Sequence, residues 1–511
     1  MTIRAHELPD YVKTQLRRAL LAPIQAFRIA YLPLLMVYFA YGALGITAIA
    51  DSFWVKRELT ALKPEHLAAI GVWLTLPWTV KMVFGELVDT VPILGSQRRV
   101  YVFIGAALTV AGLLLLAGAA AKWLTFAAPE RVYVLAQLLI VTGVVIQDVV
   151  ADAMSTEVVA RLNADGTPRP RAEVDRELGM VQVLGRLALS LGIFVVAGLA
   201  GWLAQHYSYA TVFLIGLLAP ALSVTGAILV DLETSERRPI DWQILGGGLA
   251  FGLIITLIGL SGMPLGQEVV FVVSMGVVLY MLARVTADMS AETRRLIVIA
   301  AIIIFVFRAT PGIGQGYQWF AIDRLGFDEA FFGVLAQIGA AVGLAAAWLL
   351  SDAVTRQPVT RVLLWLTILG AVLAIPSIVL VHEGHLWTER VLGFGARAIA
   401  LVDAAAQSPL VQVSMIPLLT LVAVYAPKGH RAAWFALMAS LMNLALVAGQ
   451  LFTKYLNTLM PVDRGLYSKL PALTWTATLI ALAAPLVAIM ALGPRLEKNR
   501  ASGKPPPQNP P

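Results

Sequence analysis

Runs of about twenty apolar residues, the length a helix needs to cross a bilayer, recur along this chain with short polar breaks between them. The pattern predicts spans near 28–50, 66–88, 100–120, 131–157, 177–204 and 210–231, then a polar linker at 232–242 with Arg237, Arg238 and Pro239. Two more apolar runs follow at 243–261 and 268–286, with almost nothing ionisable before Arg284. A second group of six lies at 294–317, 329–351, 358–382, 395–425, 428–455 and 470–493. The layout of six, two and six predicts an all-α polytopic membrane protein with about 14 transmembrane helices. Two groups of six related by a parallel repeat suit alternating access, with a site between them near the midplane.

The expected divisions are an amphipathic segment at 1–27, a six-helix bundle at 28–231, a linker with two additional helices at 232–293, a second bundle at 294–493 and a disordered tail at 494–511. In the first of these, Lys13, Arg17 and Arg18 stand among Leu16, Leu20, Leu21 and Ile24. That mixture suits cytoplasmic headgroups, or a plain leader into the first span. The tail ends in a proline-rich run, KPPPQNPP, that resists regular structure.

Composition agrees: 59% of residues are hydrophobic, 14% are charged, and mean hydropathy is +0.79, more apolar surface than a soluble domain can hide. A net charge of +7 would suggest nucleic acid in a soluble protein. Here most basic residues gather in alternate loops, which assigns them to the cytoplasmic side and excludes a nucleic-acid reading. Both termini are therefore expected in the cytoplasm, with the chain in a bacterial inner membrane. The absence of cysteine excludes disulfides and thiolate metal sites. The histidines are scattered, His382 and His385 have no third ligand nearby, and no Walker loop is present. Neither an enzyme nor an ATP-driven pump is expected, and no cofactor or metal.

The richest stretch is WTVKMVFGELVDTVPILGSQRR, from Trp78 to Arg99. Lys81 interrupts an apolar run, Gly85 and Asp89 close the helix, Pro92 and Gly95 turn the chain, and Arg98 and Arg99 open the next span. An acid at a helix end, a turn and a double arginine suit a two-state ionic latch; an ordinary positive-inside loop would need only the arginines.

Ionisable groups at membrane depth are the candidate chemistry. By helical rise, Lys81 lies about 12 Å from its helix end, and Asp148 and Arg186 about 14 Å from theirs. Asp148 and Asp152 project from one helical face. Asp152, nearer the cytoplasm, is expected to pair with the loop arginines as part of the gate. Asp148 and Arg186 either meet substrate or neutralise one another. In the second group, Arg308 precedes ATPGIGQGYQWF, a break that reads as hinge and substrate wall with Tyr317 and Trp319, or as a frayed helix end. Asp403 and Gln407 lie one turn apart, and Asn443 is either a substrate contact or an interhelical hydrogen bond.

The spacing Trp78-x-x-Lys81, then Gly85-x-x-x-Asp89-x-x-Pro92-x-x-Gly95-x-x-Arg98-Arg99, resembles the signature loop between helices 2 and 3 of the major facilitator superfamily, in the wording of its folate-biopterin transporter branch. Asp148-x-x-x-Asp152 with Glu157 and Ala160-Arg161 is similar to that family's helix 4. Pro427-x-Gly429, Phe435-Ala436-Leu437 and Ser440-x-x-Asn443 resemble the entry to the fifth helix of its second half, with His430 and Arg431 standing where an acid is expected.

The resemblance implies two six-helix bundles of major facilitator type and a secondary active transporter moving a folate, pterin or similar organic anion, with proton symport as a further expectation. Lys81, Arg186 and Arg308 would then hold the anionic part. Asp148 or Asp403 would meet the ring edge, and Trp78, Tyr317 and Trp319 its face. The alternatives are a proton-coupled carrier of a different small organic solute, and a membrane assembly protein that transports nothing.

Overall fold

In the computed structural model the apolar runs become helices that end where polar and turn residues gather. The structure describes residues 25, 27–96, 98–160, 162–163, 165–229, 242–261, 263, 265–287, 289–355, 358–424 and 431–501. Nearly all of the expected amino-terminal segment and polar linker, the stretch 427–430 and the tail beyond residue 501 fall outside these.

In order, the helices are α1 (Ile29–Glu58), α2 (Pro64–Thr90), α3 (Arg99–Ala120), α4 (Pro129–Glu157), α5 (Arg171–His206), α6 (Tyr209–Leu229), α7 (Trp242–Ser261), α8 (Gly266–Val285), α9 (Ala291–Arg308), α10 (Gln315–Asp323), α11 (Glu329–Thr355), α12 (Val359–Val381), α13 (Gly384–Leu392), α14 (Ala396–Val424), α15 (Arg431–Leu459) and α16 (Leu470–Ala501). Among the described residues, twelve of them are long and apolar enough to cross a membrane. Of the fourteen spans expected, α7 and α9 are the two outside that set; α9 opens on Glu292, Arg294 and Arg295 before its apolar run.

Several spans are interrupted. The first tightens into a 3-10 turn at Leu44–Thr47. In α2 the helix runs through Pro77 and breaks at Val80, with φ −101° and ψ 16°. The expected span 294–317 instead stops at Arg308, and the chain leaves the helix until Gln315. Pro311 and Gly314 explain the gap, since Gly314 takes a φ of +80° that a side chain would resist. This break is internal, because α10 continues beyond it.

Within the first six helices, α1 packs on α5 and α6, and α3 on α4; among the later ones, α11 packs on α14, and α12 and α9 on α16. The two sets meet along α2 against α15 and α5 against α11. At the second contact the backbones touch: a Cβ on Gly201 would lie 2.6 Å from the Gly333 Cα, the close approach that small residues permit in membrane helices.

The α7–α8 hairpin lies along the first of these seams. Lys454 of α15 donates to Glu268 Oε1 at 2.7 Å and to Gln267 Oε1 at 3.0 Å, while Gln267 Nε2 reaches the Ala69 carbonyl of α2 at 3.3 Å. The apparent lack of ionisable groups in this pair of runs overlooked Glu268, which pins the hairpin to α15, while Gln267 joins it to α2.

Candidate functional site

The break at Val80 places Lys81 at the first position of the second segment of α2. Its ammonium donates to Asp148 Oδ2 at 2.5 Å and to Asp152 Oδ2 at 2.6 Å, the two carboxylates being presented together by the helical period of α4. Tyr38 of α1 donates its hydroxyl to Asp152 Oδ1 at 2.7 Å. Asp148 is 13% exposed, Lys81 29% and Asp152 48%, so Asp152 is the open member of the cluster. Trp78 stacks on Tyr41 with ring centres 6.0 Å apart.

One of the two readings of Asp148 is removed and one expectation is corrected here. The partner of Asp148 is Lys81, so it does not neutralise Arg186 as a structural pair. Asp152 belongs to the Lys81 cluster and not to the loop arginines, because it sits a full turn short of the loop and pairs with the Lys81 ammonium.

The backbone freed at the α2 break is bound from the later helices. Asn443 Nδ2 donates to the Trp78 carbonyl at 3.0 Å, and Ser440 Oγ to the Thr79 carbonyl at 2.9 Å. Asn443 therefore makes the interhelical bond that was one of its two readings.

Arg186 is exposed on α5 and enters no hydrogen bond or ion pair among the described residues. Arg308 donates to the Met442 carbonyl at 3.2 Å and to the Met415 sulfur at 3.0 Å, and has no acidic partner among the described residues. Asp403 accepts from Ser377 at 2.9 Å and from Gln407 at 2.5 Å, with Tyr317 beside this group. Trp319 is not available as a wall: it is 1% exposed, with the Arg464 guanidinium 4.0 Å from its ring centre. The chain break before it is held by α15, where Thr453 accepts from the Gly312 amide at 2.9 Å and Asn457 donates to the Ile313 carbonyl at 3.2 Å.

The latch residues take different places. Arg98, 4% exposed, donates to Asp89 at 2.8 Å, to the Val88 carbonyl at 3.0 Å and to both oxygens of Glu157, at 3.0 and 2.6 Å. Arg99 turns to the Ala227 carbonyl of α6 at 3.0 Å. These contacts join α2, its turn, α4 and α6, all within the first six helices. Gly85 has open space where a side chain would stand, so no close approach requires glycine there.

The sequence reading missed a polar network on the opposite face, at the ends of the spans. Lys56 pairs with Asp323, which also accepts from Tyr467. Arg57 pairs with Glu329 at 2.7 Å, and Tyr209 donates to the same carboxylate at 3.0 Å. Arg464 donates to the carbonyls of Val55 (2.9 Å), Lys56 (2.6 Å), Leu59 (3.1 Å) and Leu62 (2.9 Å), at the end of α1 and in the turn after it, where helix carbonyls run short of amide donors. Burial first, and then the bond to Asp323, push the Tyr467 phenol up, which keeps it a donor. Only the position of these groups at span ends hinted at pairing; nothing local named their partners. Asp51 was missed too: inside α1, it accepts from Gln137 at 2.9 Å and Tyr133 at 3.3 Å.

Comparison with known proteins adds the lineage. A folate-biopterin transporter of Synechocystis sp. is 26% identical over 431 residues, covering 83% of this chain and 75% of the relative. Probable folate-biopterin transporter 2 of Arabidopsis thaliana is 21% identical, covering 86% and 76%. Among solved structures, a POT family transporter in complex with a thioalcohol-conjugated peptide superposes with a TM-score of 0.67 at 14% identity, covering 93% of this chain and 99% of that one. A proton-dependent oligopeptide transporter gives 0.61 at 13% identity, covering 92% and 98%. Both establish the fold as that of these transporters. Residues 42–508 match the model of the BT1 family, and with nearly its whole length so matched this multi-pass membrane protein belongs to the BT1 family.

Proposed function

We propose that the protein is a secondary active transporter that carries an anionic folate or pterin solute by alternating access, in symport with protons. The observation that carries this reading is Arg186, a guanidinium at membrane depth beside the Lys81 cluster with no bond to protein among the described residues. A charge in that position is costly unless something balances it, and a carboxylate matches its fork of donors. Arg308 offers a second such cation from the later helices. The Asp403, Gln407 and Tyr317 group suits the amino and amide edge of a pterin ring. The names of the Synechocystis and Arabidopsis relatives support the same solute class.

In this reading the bundles are 28–231 and 294–493, joined by the 232–293 linker, and both termini face the cytoplasm of a bacterial inner membrane. The protein is a carrier and not an enzyme. Its test is uptake of radiolabelled folate, biopterin and unrelated organic anions into proteoliposomes with and without a pH gradient. Folate or biopterin uptake that rises with the gradient is expected. Uptake of unrelated anions alone would shift the reading to a carrier of another organic solute, and no uptake of any probe would favour an assembly role.

A further inference from the structure

We propose that Lys81 is a shared cation, exchanged between Asp152 and a substrate carboxylate, and that Asp152, once displaced, carries the coupled proton. The inference rests on the anion-transport reading above and deepens it. Lys81 is held by two carboxylates at nearly equal distances, 2.5 Å to Asp148 and 2.6 Å to Asp152, but they are not equivalent. Asp148 is 13% exposed and Asp152 is 48% exposed. The buried carboxylate is the resident counter-ion, because taking it off Lys81 would leave a charge inside protein with no water to receive it. The open one is replaceable.

The charges give the stoichiometry. Lys81, Asp148 and Asp152 together carry one net negative charge. When a substrate carboxylate takes the place of Asp152 on the ammonium, a proton from the water on the entry side binds to the freed Asp152 oxygen, and the count is unchanged. On release Asp152 returns to Lys81 and gives the proton up. One proton therefore accompanies each carboxylate exchanged at Lys81, and no uncompensated charge is left at membrane depth.

The groups around Asp152 fit this role. Tyr38 on α1 donates to the oxygen that Lys81 does not hold, so the carboxyl stays tethered when it leaves the ammonium. Asp148 lies one turn away on α4, and Arg186 on α5 lies near enough to act on both Asp148 and Tyr38. Arg186 receives the first carboxylate of a folate glutamate tail, and Lys81 is where the second is exchanged. On α5, Gln182 donates to Ser155, whose hydroxyl bonds the Asp152 carbonyl at 2.6 Å, fixing the backbone beneath the moving group.

The experiment compares the full-length protein with Asp152→Asn, Asp152→Glu and Tyr38→Phe in proteoliposomes, using radiolabelled folate together with a panel of aromatic mono- and dicarboxylates. Two quantities are read: the half-saturation concentration in counterflow, and accumulation driven by an imposed pH gradient. Asp152→Asn removes the competitor for Lys81, so half-saturation should fall about tenfold, the worth of one charge-assisted hydrogen bond, while gradient-driven accumulation disappears. Asp152→Glu should keep accumulation, and Tyr38→Phe should move its pH profile. Wild-type accumulation by Asp152→Asn, or an affinity unchanged or weaker, would overturn the proposal. If Asp152→Asn does not fold, an unmoved pH profile in Tyr38→Phe overturns it instead. A wild type that takes panel carboxylates but not folate overturns the solute assignment alone, and the same comparison is then made on the carboxylate it takes.

Discussion

Asn443 on α15 donates to the carbonyl of Trp78 at 3.0 Å, three positions before Lys81, so the later helices hold the break that aims the central cation. Ser440 repeats the contact one residue on, at Thr79. The two sets of helices thus share the geometry of the site as well as its walls.

Removing that hold should affect both stability and transport. Asn443→Ala leaves the Trp78 carbonyl without this donor and should cost roughly 1 to 3 kcal/mol. The Ser440→Ala, Asn443→Ala double variant should lose more than the sum of the singles, since both act on one break. Thermal denaturation in detergent together with uptake rates checks this; a double variant as stable and active as wild type would remove the role given to the break.

Arg186→Lys keeps the charge and loses the fork of donors. Substrate binding should weaken by about 1 to 3 kcal/mol, with an unchanged melting temperature, because the positive charge near Asp148 is kept and Arg186 makes no hydrogen bond or ion pair among the described residues. By contrast, Lys81→Met alone leaves two carboxylates without their cation and should destabilise the fold by roughly 3 to 5 kcal/mol. Adding Asp148→Asn and Asp152→Asn should restore folding without restoring transport. Binding isotherms and melting curves on the same preparations separate the two effects.

The Arg464 clasp predicts a conformational shift. Its bonds to four carbonyls of α1 and the following turn, with Lys56–Asp323 and Arg57–Glu329 beside it, close the face opposite the 91–98 loop. Arg464→Ala should open that face, and Arg464→Lys should not rescue closure, since a single ammonium cannot span those oxygens. The chain has no native cysteine, so thiols introduced at positions lining this face report opening directly. Labelling equal to that of the parent would show that closure does not depend on the clasp.

At the other face, Asp89 and Glu157 share Arg98 unequally. Asp89, 39% exposed, meets Arg98 Nη2, while Glu157, 22% exposed, takes both Nε and Nη2. Asp89→Asn should cost less than about 1 kcal/mol, and Glu157→Gln roughly 3 kcal/mol, because it removes the principal partner of a buried guanidinium. Melting temperatures for the two variants decide it.

Much of the fold is legible in the amino-acid sequence because membrane spans are set by local quantities. Apolar length gives the helices to within a few residues at most ends, and the 3.6-residue period puts Asp148 and Asp152 on one face. The depths of Lys81, Asp148 and Arg186 follow from helical rise, so a common layer is predicted. Which of them pair is a different matter, because it depends on how each helix is rotated and tilted against its neighbours. Asp148 chooses Lys81 over Arg186, and Asp152 leaves Arg98 to Glu157 and Asp89, through rotations that hydropathy does not record. Arg464 and Leu59 meet across 405 positions of chain, and Asn443 and Trp78 across 365. The break at Val80 has two of its carbonyls bound from the other set of helices, an arrangement that exists only when the sets are packed together. The sequence by itself determined the helices, their order and the depth of each charge; the tertiary structure decided the partners, since a hydrogen bond needs atoms within about 3 Å and only packing brings separate helices that close.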